Sequence, residues 1–188
     1  MNNTALLIID VQKGLDEPRY GQRNNPQAEA NMARLLDQWR QQHWPVIHIR
    51  HCSTEPNSPL RPELTGNAYK DEVQPLPDEP QFSKTVNSAF IGTGLERYLL
   101  EQGIDTLVTV GLTTDHCVST SVRMAANLGF SVILVADATA TFERTGPDGS
   151  HYSAEQMHAV NLASLNGEFC TVQTTDQLLS DIGIPEQA

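Results

Sequence analysis

Short, mostly apolar runs that alternate with helix-patterned segments constrain the fold of this chain most strongly. The first run, at residues 5–9, ends at Asp10, and further runs lie at 46–49, 106–110 and 131–135. Runs that are apolar on both faces are typical of buried parallel strands, and the segments between them carry apolar residues at helical spacing. The pattern predicts an α/β fold of three αβα layers. Its doubly wound, mostly parallel, Rossmann-like sheet should have six strands in the order 3-2-1-4-5-6.

Capping residues and glycines set the remaining boundaries. We expect helices at about 27–42, 93–102, 116–128, 153–165 and 175–181, and short strands at about 82–86 and 169–172. Thr93 is predicted to cap the second helix, and Thr114 or Asp115 to cap the third. The proline-rich stretch 53–80 is predicted to be a long loop, a feature common in lids and binding loops. We expect a single domain over residues 1–188.

Composition excludes several classes of partner. Twelve Lys and Arg against 23 Asp and Glu give a net charge of -11, which repels nucleic acid and anionic membranes. The apolar runs are too short to span a bilayer, and the first residues do not resemble a signal peptide. Three widely spaced cysteines argue against a disulfide framework and favour a reducing compartment. We therefore expect a cytoplasmic protein that binds neither nucleic acid nor membrane.

A candidate nucleophile, Cys117, follows the fourth predicted strand in the segment Gly111–Val118. In doubly wound folds, ligands bind beyond the carboxyl ends of the strands where strand order reverses, here between the first and fourth strands. This topology brings Asp10 close to Cys117. A thiol at the start of a helix is expected to have a lowered pKa, and Asp10 could act as its base. The alternatives are a buried packing cysteine and a carboxylate that bonds loop amides.

The histidines give little support for a metal site. His48 and His51 flank Arg50 at the end of the second predicted strand. Side chains at these positions would face opposite ways if the strand reaches both, and no acid nearby completes a ligand set. We therefore predict no metal and no other cofactor. Asp137, which ends another strand, is expected to be a structural carboxylate.

Three segments together resemble the isochorismatase-like cysteine hydrolases, a family that includes nicotinamidases and related amidohydrolases. The matching pieces are Leu6-Leu7-Ile8-Ile9-Asp10-Val11-Gln12, then Lys84 with Asn87-Ser88-Ala89-Phe90, and then Gly111-Leu112-Thr113-Thr114-Asp115-His116-Cys117-Val118. The resemblance implies a catalytic triad of Asp10, Lys84 and Cys117. It also implies a cis peptide between Leu112 and Thr113, and an oxyanion hole formed by the backbone amides of Thr113 and Cys117.

Two departures from the family pattern concern the substrate. Nicotinamidases carry an Asp-x-His metal motif where this chain has His48-Ile49-Arg50-His51, and Leu15 stands where an aromatic residue is usual. The loop after His51 resembles, in places, that of streptothricin hydrolase. We predict that the substrate is contacted by Gln12, Leu15, His51, Glu55, Arg61 and Phe90. The alternative for His51, Glu55 and Arg61 is an ordered loop or a subunit contact.

The resulting functional prediction is hydrolysis of a carbon–nitrogen amide bond in a small molecule through a Cys117 acyl-enzyme. Cys117 argues against isochorismatase activity, because vinyl-ether hydrolysis needs no thiol nucleophile. Two alternatives stay open: an ether or ester hydrolase on the same fold, and a ligand-binding or thiol-sensing protein without turnover. The resemblance also implies a homo-dimer or homo-tetramer.

Overall fold

The computed structural model describes residues 3–183 of the 188-residue chain. In chain order its elements are β1 (Thr4–Ile9), α1 (Ala28–Gln41), β2 (Val46–His51), β3 (Gln81–Lys84), α2 (Leu95–Glu101), β4 (Thr106–Leu112), α3 (Ser119–Asn127), β5 (Ser131–Ala140), β6 (Arg144–Thr145), β7 (His151–Tyr152), α4 (Ala154–Leu165), β8 (Thr171–Gln173) and α5 (Thr175–Asp181). Short 3-10 turns interrupt the loops.

Six strands form one parallel sheet in the order β3-β2-β1-β4-β5-β8. This confirms the predicted order, and the sixth strand is the eighth along the chain because the hairpin of β6 and β7 precedes it. That antiparallel hairpin was not predicted, since each of its strands has only two residues. The reversal of strand order lies between β1 and β4, as expected.

Alternate residues of the buried strands feed two separate cores. In β1, Leu6 and Ile8 pack in the core that contains α1 and α5 residues, whereas Leu7 and Ile9 pack with residues of α2, α3 and α4. This alternation is the period of a β-strand, and it requires helices on both faces of the sheet. The three-layer αβα architecture is therefore confirmed.

Two element boundaries differ from the prediction in ways that affect the site. β2 continues to His51 and β5 to Ala140, so both strands extend further toward the carboxyl edge of the sheet. α2 begins at Leu95 after Gly94, whose φ of 74° is left-handed. Thr93 is thus not the N-cap residue that we expected, although its hydroxyl accepts the Leu95 amide at 3.2 Å.

Buried amide side chains order the long loop between β2 and β3. The Asn67 side chain donates to the carbonyls of His51 and Leu60 at 2.8 and 2.6 Å. The Gln12 side chain donates to the carbonyls of His51 and Asn67. The loop is therefore fixed against the end of β2 rather than extended into solvent. Within residues 3–183, no helix combines the length and apolarity needed to cross a bilayer.

Candidate active site

Asp10, Lys84 and Cys117 meet at the carboxyl edge of the sheet. Lys84 Nζ lies 2.6 Å from Asp10 Oδ2 and 3.3 Å from Cys117 Sγ. Asp10 directly follows β1, and Cys117 lies in the turn after β4, so the topology accounts for their proximity. Lys84 ends the edge strand β3, and its long side chain reaches past β2 to the other two. Both charged side chains are about 2% exposed, and a buried ion pair of this kind requires such close pairing.

The backbone at Asp10 is held in an uncommon conformation. Its φ is 53°, in the left-handed region that few residues other than glycine adopt. Strain of this kind persists where the surroundings enforce it, and it is concentrated at functional sites. Asp10 Oδ1 is buried and has no hydrogen-bond partner among the described residues. One carboxylate oxygen is therefore bound by Lys84, and the other is free to accept a proton.

Gly111 allows β4 to approach β1 directly before Asp10. Its φ is 131°, and a Cβ at this position would lie 2.1 Å from the Ile9 carbonyl oxygen. Any other residue would collide with the backbone of β1. The register between β4 and β5 also shifts between Thr109 and Gly111. The glycine in the sequence motif thus fixes the spacing between the strands that carry the acid and the thiol.

The turn that holds Cys117 is π-helical and spans Thr114–Val118. The Thr113 carbonyl accepts the amides of His116 and Val118, each at 3.2 Å, and is not paired with the Cys117 amide between them. Single π-turns are frequent at functional sites. The predicted cis peptide between Leu112 and Thr113 is present.

The predicted helix cap in this turn was wrong. Thr114 bonds His158 of α4 through its hydroxyl at 2.9 Å. Asp115 accepts from the Thr141 hydroxyl and, at 2.9 Å, from Arg144 Nε. Neither side chain caps α3, which begins at Ser119 without a side-chain cap. Both are used to tie the turn to neighbouring elements.

The expected low thiol pKa was also wrong. Burial, and next to it the negative charge of Asp10, raise the pKa of Cys117 above its usual value, and Lys84 only partly opposes them. The π-helical turn replaces the helix start on which the expectation depended. At neutral pH Cys117 is therefore a thiol, and forming its thiolate there would require a nearby base.

His51 belongs to the same polar cluster. Its Nδ1 lies 3.1 Å from Lys84 Nζ, and burial together with the Lys84 charge lowers the pKa of His51. The ring is thus neutral at pH 7 and can accept a hydrogen bond from the ammonium. His48, by contrast, lies on the other side of β2, as the strand alternation predicted. Its bond to Glu79, at 2.8 Å, was not predicted.

Three residues of this cluster, Asp10, His51 and Cys117, could ligate a metal ion, but the ammonium of Lys84 lies among them. One atom each of Asp10, His51 and Cys117 lie within 4.8 Å of one another. Lys84 Nζ is within 3.3 Å of an atom of each. A metal ion placed among these ligands would have to displace the ammonium. The donor set therefore fits a lysine better than a metal ion.

A cavity of about 240 Å³ opens onto the cluster. It is lined by Asp10, Leu15, Tyr20, His51, Leu60, Asn87, Leu112, Thr113, His116, Cys117, Phe142 and Arg144. Leu15, His51 and Thr113 were predicted to be at the site. The aromatic pair Tyr20 and Phe142, whose rings stack at 5.2 Å, was not predicted, and neither was Arg144. Phe142 and Arg144 follow β5, so the strand topology that placed Asp10 at the site could have placed them there too.

Gln12 does not reach the cavity, contrary to our expectation of a substrate contact. It is fully buried, and its Oε1 accepts the His51 amide at 2.9 Å while its Nε2 donates to two carbonyls. Both of its N–H donors and its carbonyl oxygen bond the chain, and two of these three bonds fasten His51 at the end of β2. Gln12 positions the backbone of His51.

Three further residues that we predicted to contact the substrate do not line the cavity: Glu55, Arg61 and Phe90. Glu55 is exposed on the loop, and Arg61 donates to the Pro56 carbonyl and pairs with Glu63. Phe90 packs into the core, where its ring stacks on another phenylalanine, Phe130. For Glu55 and Arg61, the ordered-loop alternative agrees with the structure. Asp137, as expected, is structural: it accepts from the Thr175 amide and hydroxyl at the start of α5.

Comparison with known proteins identifies the family. A model of the isochorismatase domain matches residues 4–177. The chain belongs to the isochorismatase family. It is 48% identical over 177 residues to the uncharacterized isochorismatase family protein YrdC of Bacillus subtilis, covering 94% of this chain and 95% of that protein. A crystal structure of an isochorismatase-family protein from Chromobacterium violaceum superimposes with a TM-score of 0.94 at 47% identity, covering 97% of this chain and 95% of the other.

One more distant relative is an amidohydrolase. The ureidoacrylate amidohydrolase RutB of Agrobacterium fabrum is 34% identical over 125 residues, which cover 60% of this chain and 53% of that protein. The family relationship makes this protein an isochorismatase-family hydrolase whose relatives include amidohydrolases.

Proposed function

We propose that this hydrolase cleaves the carbon–nitrogen bond of a small amide through a covalent Cys117 intermediate. The observation that carries the proposal is the buried contact of Lys84 Nζ with both Asp10 Oδ2 and Cys117 Sγ at the edge of the cavity. It combines a nucleophile, a carboxylate with one free oxygen and a fixed positive charge, the groups that acyl transfer needs.

The first half of the reaction forms the acyl-enzyme. Asp10 Oδ1 takes the proton of the Cys117 thiol, and the thiolate attacks the carbonyl carbon of the amide. The tetrahedral oxyanion accepts hydrogen bonds from the amides of Thr113 and Cys117. Lys84 stabilises the negative charge as it moves from sulfur to oxygen. Protonated Asp10 then gives its proton to the leaving nitrogen, and the carbon–nitrogen bond breaks.

The second half releases the acid. Asp10, again a carboxylate, takes a proton from water, and the resulting hydroxide attacks the thioester. The carbon–sulfur bond breaks, and the thiolate of Cys117 recovers its proton from Asp10. The high thiol pKa is consistent with this sequence, because a nucleophile that rests as a thiol needs a base in contact with it. The ureidoacrylate amidohydrolase among the relatives supports amide rather than ether hydrolysis.

The proposal is tested by measuring acid and amine or ammonia release from a panel of small amides. We expect the Cys117→Ala variant to lose about a thousandfold or more in rate, the order found when a nucleophile is removed. Cys52→Ala is the matched control, because Cys52 is also a free, partly buried cysteine. Its bond to Lys84 runs from the backbone amide to the Lys84 carbonyl, at 2.7 Å, and alanine keeps that bond. Full activity in Cys117→Ala would refute the mechanism.

A further inference from the structure

A single arginine stands on the wall of an otherwise largely apolar cavity. Arg144, on β6, shares the cavity with Cys117, and apolar side chains such as Leu15, Leu60 and Phe142 form much of the remaining wall. Lys84, the other cation nearby, is bound within the polar cluster and is fully buried. In a chain with a net charge of -11, a guanidinium facing a ligand cavity is a specific feature rather than a general surface property.

The neighbours of Arg144 fix its guanidinium and leave one end of it available. Its Nε donates to Asp115 Oδ2 at 2.9 Å, and its Nη1 donates to the Glu143 carbonyl at 3.2 Å. No acceptor within residues 3–183 pairs with Nη2. The side chain is 27% exposed, so it is held in place without being closed off. A guanidinium held in this way loses little further rotational freedom when it binds a carboxylate.

Asp115 holds Arg144 in place but also has hydrogen-bonding and charged partners other than Arg144. The same carboxylate accepts from the Thr141 hydroxyl and lies 3.5 Å from His116 Nε2. These contacts hold the pKa of Asp115 below its usual value, although its burial alone would raise it. Asp115 therefore stays charged and orients Arg144. It still has Thr141 and His116 as partners when Arg144 binds a ligand.

We infer that Arg144 binds an anionic group, most simply a carboxylate, on the substrate of this site. The inference rests on the proposed function and narrows it: the substrate class becomes small amides that carry a carboxylate beyond the scissile bond. Both Cys117 and Arg144 line one cavity of about 240 Å³, so a small molecule that fills this cavity can touch both. The apolar walls would accommodate the short carbon chain between the two groups.

The inference can be tested without turnover by alkylating Cys117. Iodoacetate and iodoacetamide have nearly the same shape but differ in charge. The thiolate attacks the CH₂ carbon of either reagent, a carbon–sulfur bond forms as the carbon–iodine bond breaks, and iodide leaves, so Cys117 gains a carboxymethyl or a carbamoylmethyl group. N-(iodoacetyl)glycine and its carboxamide form a second pair with a longer reach. Rates are measured on the Cys117 peptide by mass spectrometry at one fixed pH, so the thiolate fraction cancels in the ratio of anionic to neutral reagent.

We expect that ratio to fall about tenfold in Arg144→Gln for at least one pair, the order of one charge-assisted hydrogen bond. Arg97→Gln is the matched control, since Arg97 is a highly exposed arginine of α2, and its ratio should not change. The ratio should partly recover in Arg144→Lys. An unchanged ratio in Arg144→Gln for both pairs would overturn the inference.

A double variant separates anion binding from simple neutralisation of Asp115. In Asp115→Asn/Arg144→Gln both charges are lost, so a purely neutralising role predicts the wild-type ratio. A binding role predicts that the ratio stays low, and recovery to the wild-type value would therefore overturn the inference. Because the assay reads alkylation, failure of the amide panel would count against the proposed function and leave this result intact.

Discussion

Asp10 has two opposing effects on Cys117, the proposed nucleophile. Its negative charge adds to burial in raising the pKa of Cys117, which disfavours the thiolate. Its free Oδ1 is nevertheless the acceptor that could remove the thiol proton when a substrate is in place. In the proposed mechanism, this pair keeps the thiol neutral at rest and transfers its proton only during the reaction.

Replacement of Asp10 by Asn should separate these effects. Asp10→Asn removes the negative neighbour, so the thiol pKa should fall and iodoacetamide should label Cys117 faster at pH 7 than in the wild type. Amide hydrolysis should nevertheless fall by about a hundredfold or more, because the general base is lost.

The control for this experiment is Asp37→Asn, which removes the same charge from the exposed side of α1. It should change neither rate. If labelling and hydrolysis both slowed in Asp10→Asn, Asp10 would not be raising the thiol pKa. If hydrolysis were retained, Asp10 would not be the base.

At the level of elements, the spacing of β1 and β4 determines the site. At Gly111 there is no room for a Cβ against the backbone of Ile9, its partner in β1. Asp10 lies one residue after Ile9, and Cys117 lies six residues after Gly111. The π-helical turn then carries Cys117, and its contacts with α4 and β6 hold it on two sides.

Gly111→Ala should therefore be costly. The new methyl group would meet the Ile9 carbonyl, and the φ of 131° is poorly tolerated by alanine. We expect a loss of about 2–4 kcal/mol in the free energy of unfolding, measured by urea denaturation. Gly103→Ala is the control, because Gly103 also has a positive φ, of 67°, but a Cβ added there would have nothing within 4 Å. It should cost only about 1 kcal/mol, and equal losses in the two variants would contradict this role of Gly111.

Three residues of the polar cluster, Asp10, Lys84 and Cys117, show which parts of a site can be predicted from a sequence of this type. The apolar runs predicted the sheet order and the proximity of Asp10 and Cys117, because both follow from strand topology. Lys84 was found only through the family resemblance. Its position depends on a long side chain crossing the end of β2, which no local pattern encodes.

The helix predicted after Cys117 is present as α3 (Ser119–Asn127), and the main local misinterpretation was its start, where a π-helical turn spans Thr114–Val118. Its composition suits an α-helix, but tertiary bonds to His158, Thr141 and Arg144 take up the side chains of Thr114 and Asp115 that could have capped it. Those partners are 26 to 44 residues away. The thiol pKa was misjudged for the same reason, since it depends on burial and on Asp10 rather than on the helix.

For the whole molecule, buried ion pairs tie the long loop to α1. Glu29 of α1 accepts from Arg23 and from Lys70, each at 2.6 Å. Burial alone would raise the pKa of Glu29, but the hydrogen bonds and charges of Arg23 and Lys70 lower it to about 2. A group whose folded pKa is below its unfolded value of 4.5 stabilises the fold above that value.

Acid should therefore destabilise the protein between about pH 4.5 and pH 2. The Glu29 contribution lost over this interval is up to about 3 kcal/mol, from the size of the pKa shift. Urea denaturation at a series of pH values should show a shallower decline for Glu29→Gln, which is also less stable at pH 7 because it leaves two cations without their carboxylate. Glu155→Gln, at an exposed position of α4, is the control. The same pH dependence in Glu29→Gln and wild type would contradict this assignment.

The acyl group on Cys117 is the most direct test of the account as a whole. An amide that the protein hydrolyses is mixed with it, the reaction is quenched in acid during turnover, and the peptides are analysed by mass spectrometry. The account predicts the acyl mass on the peptide that contains Cys117, its removal by neutral hydroxylamine, and its absence in Cys117→Ala. Release of product at the full rate with Cys117 unmodified at every time point would contradict it.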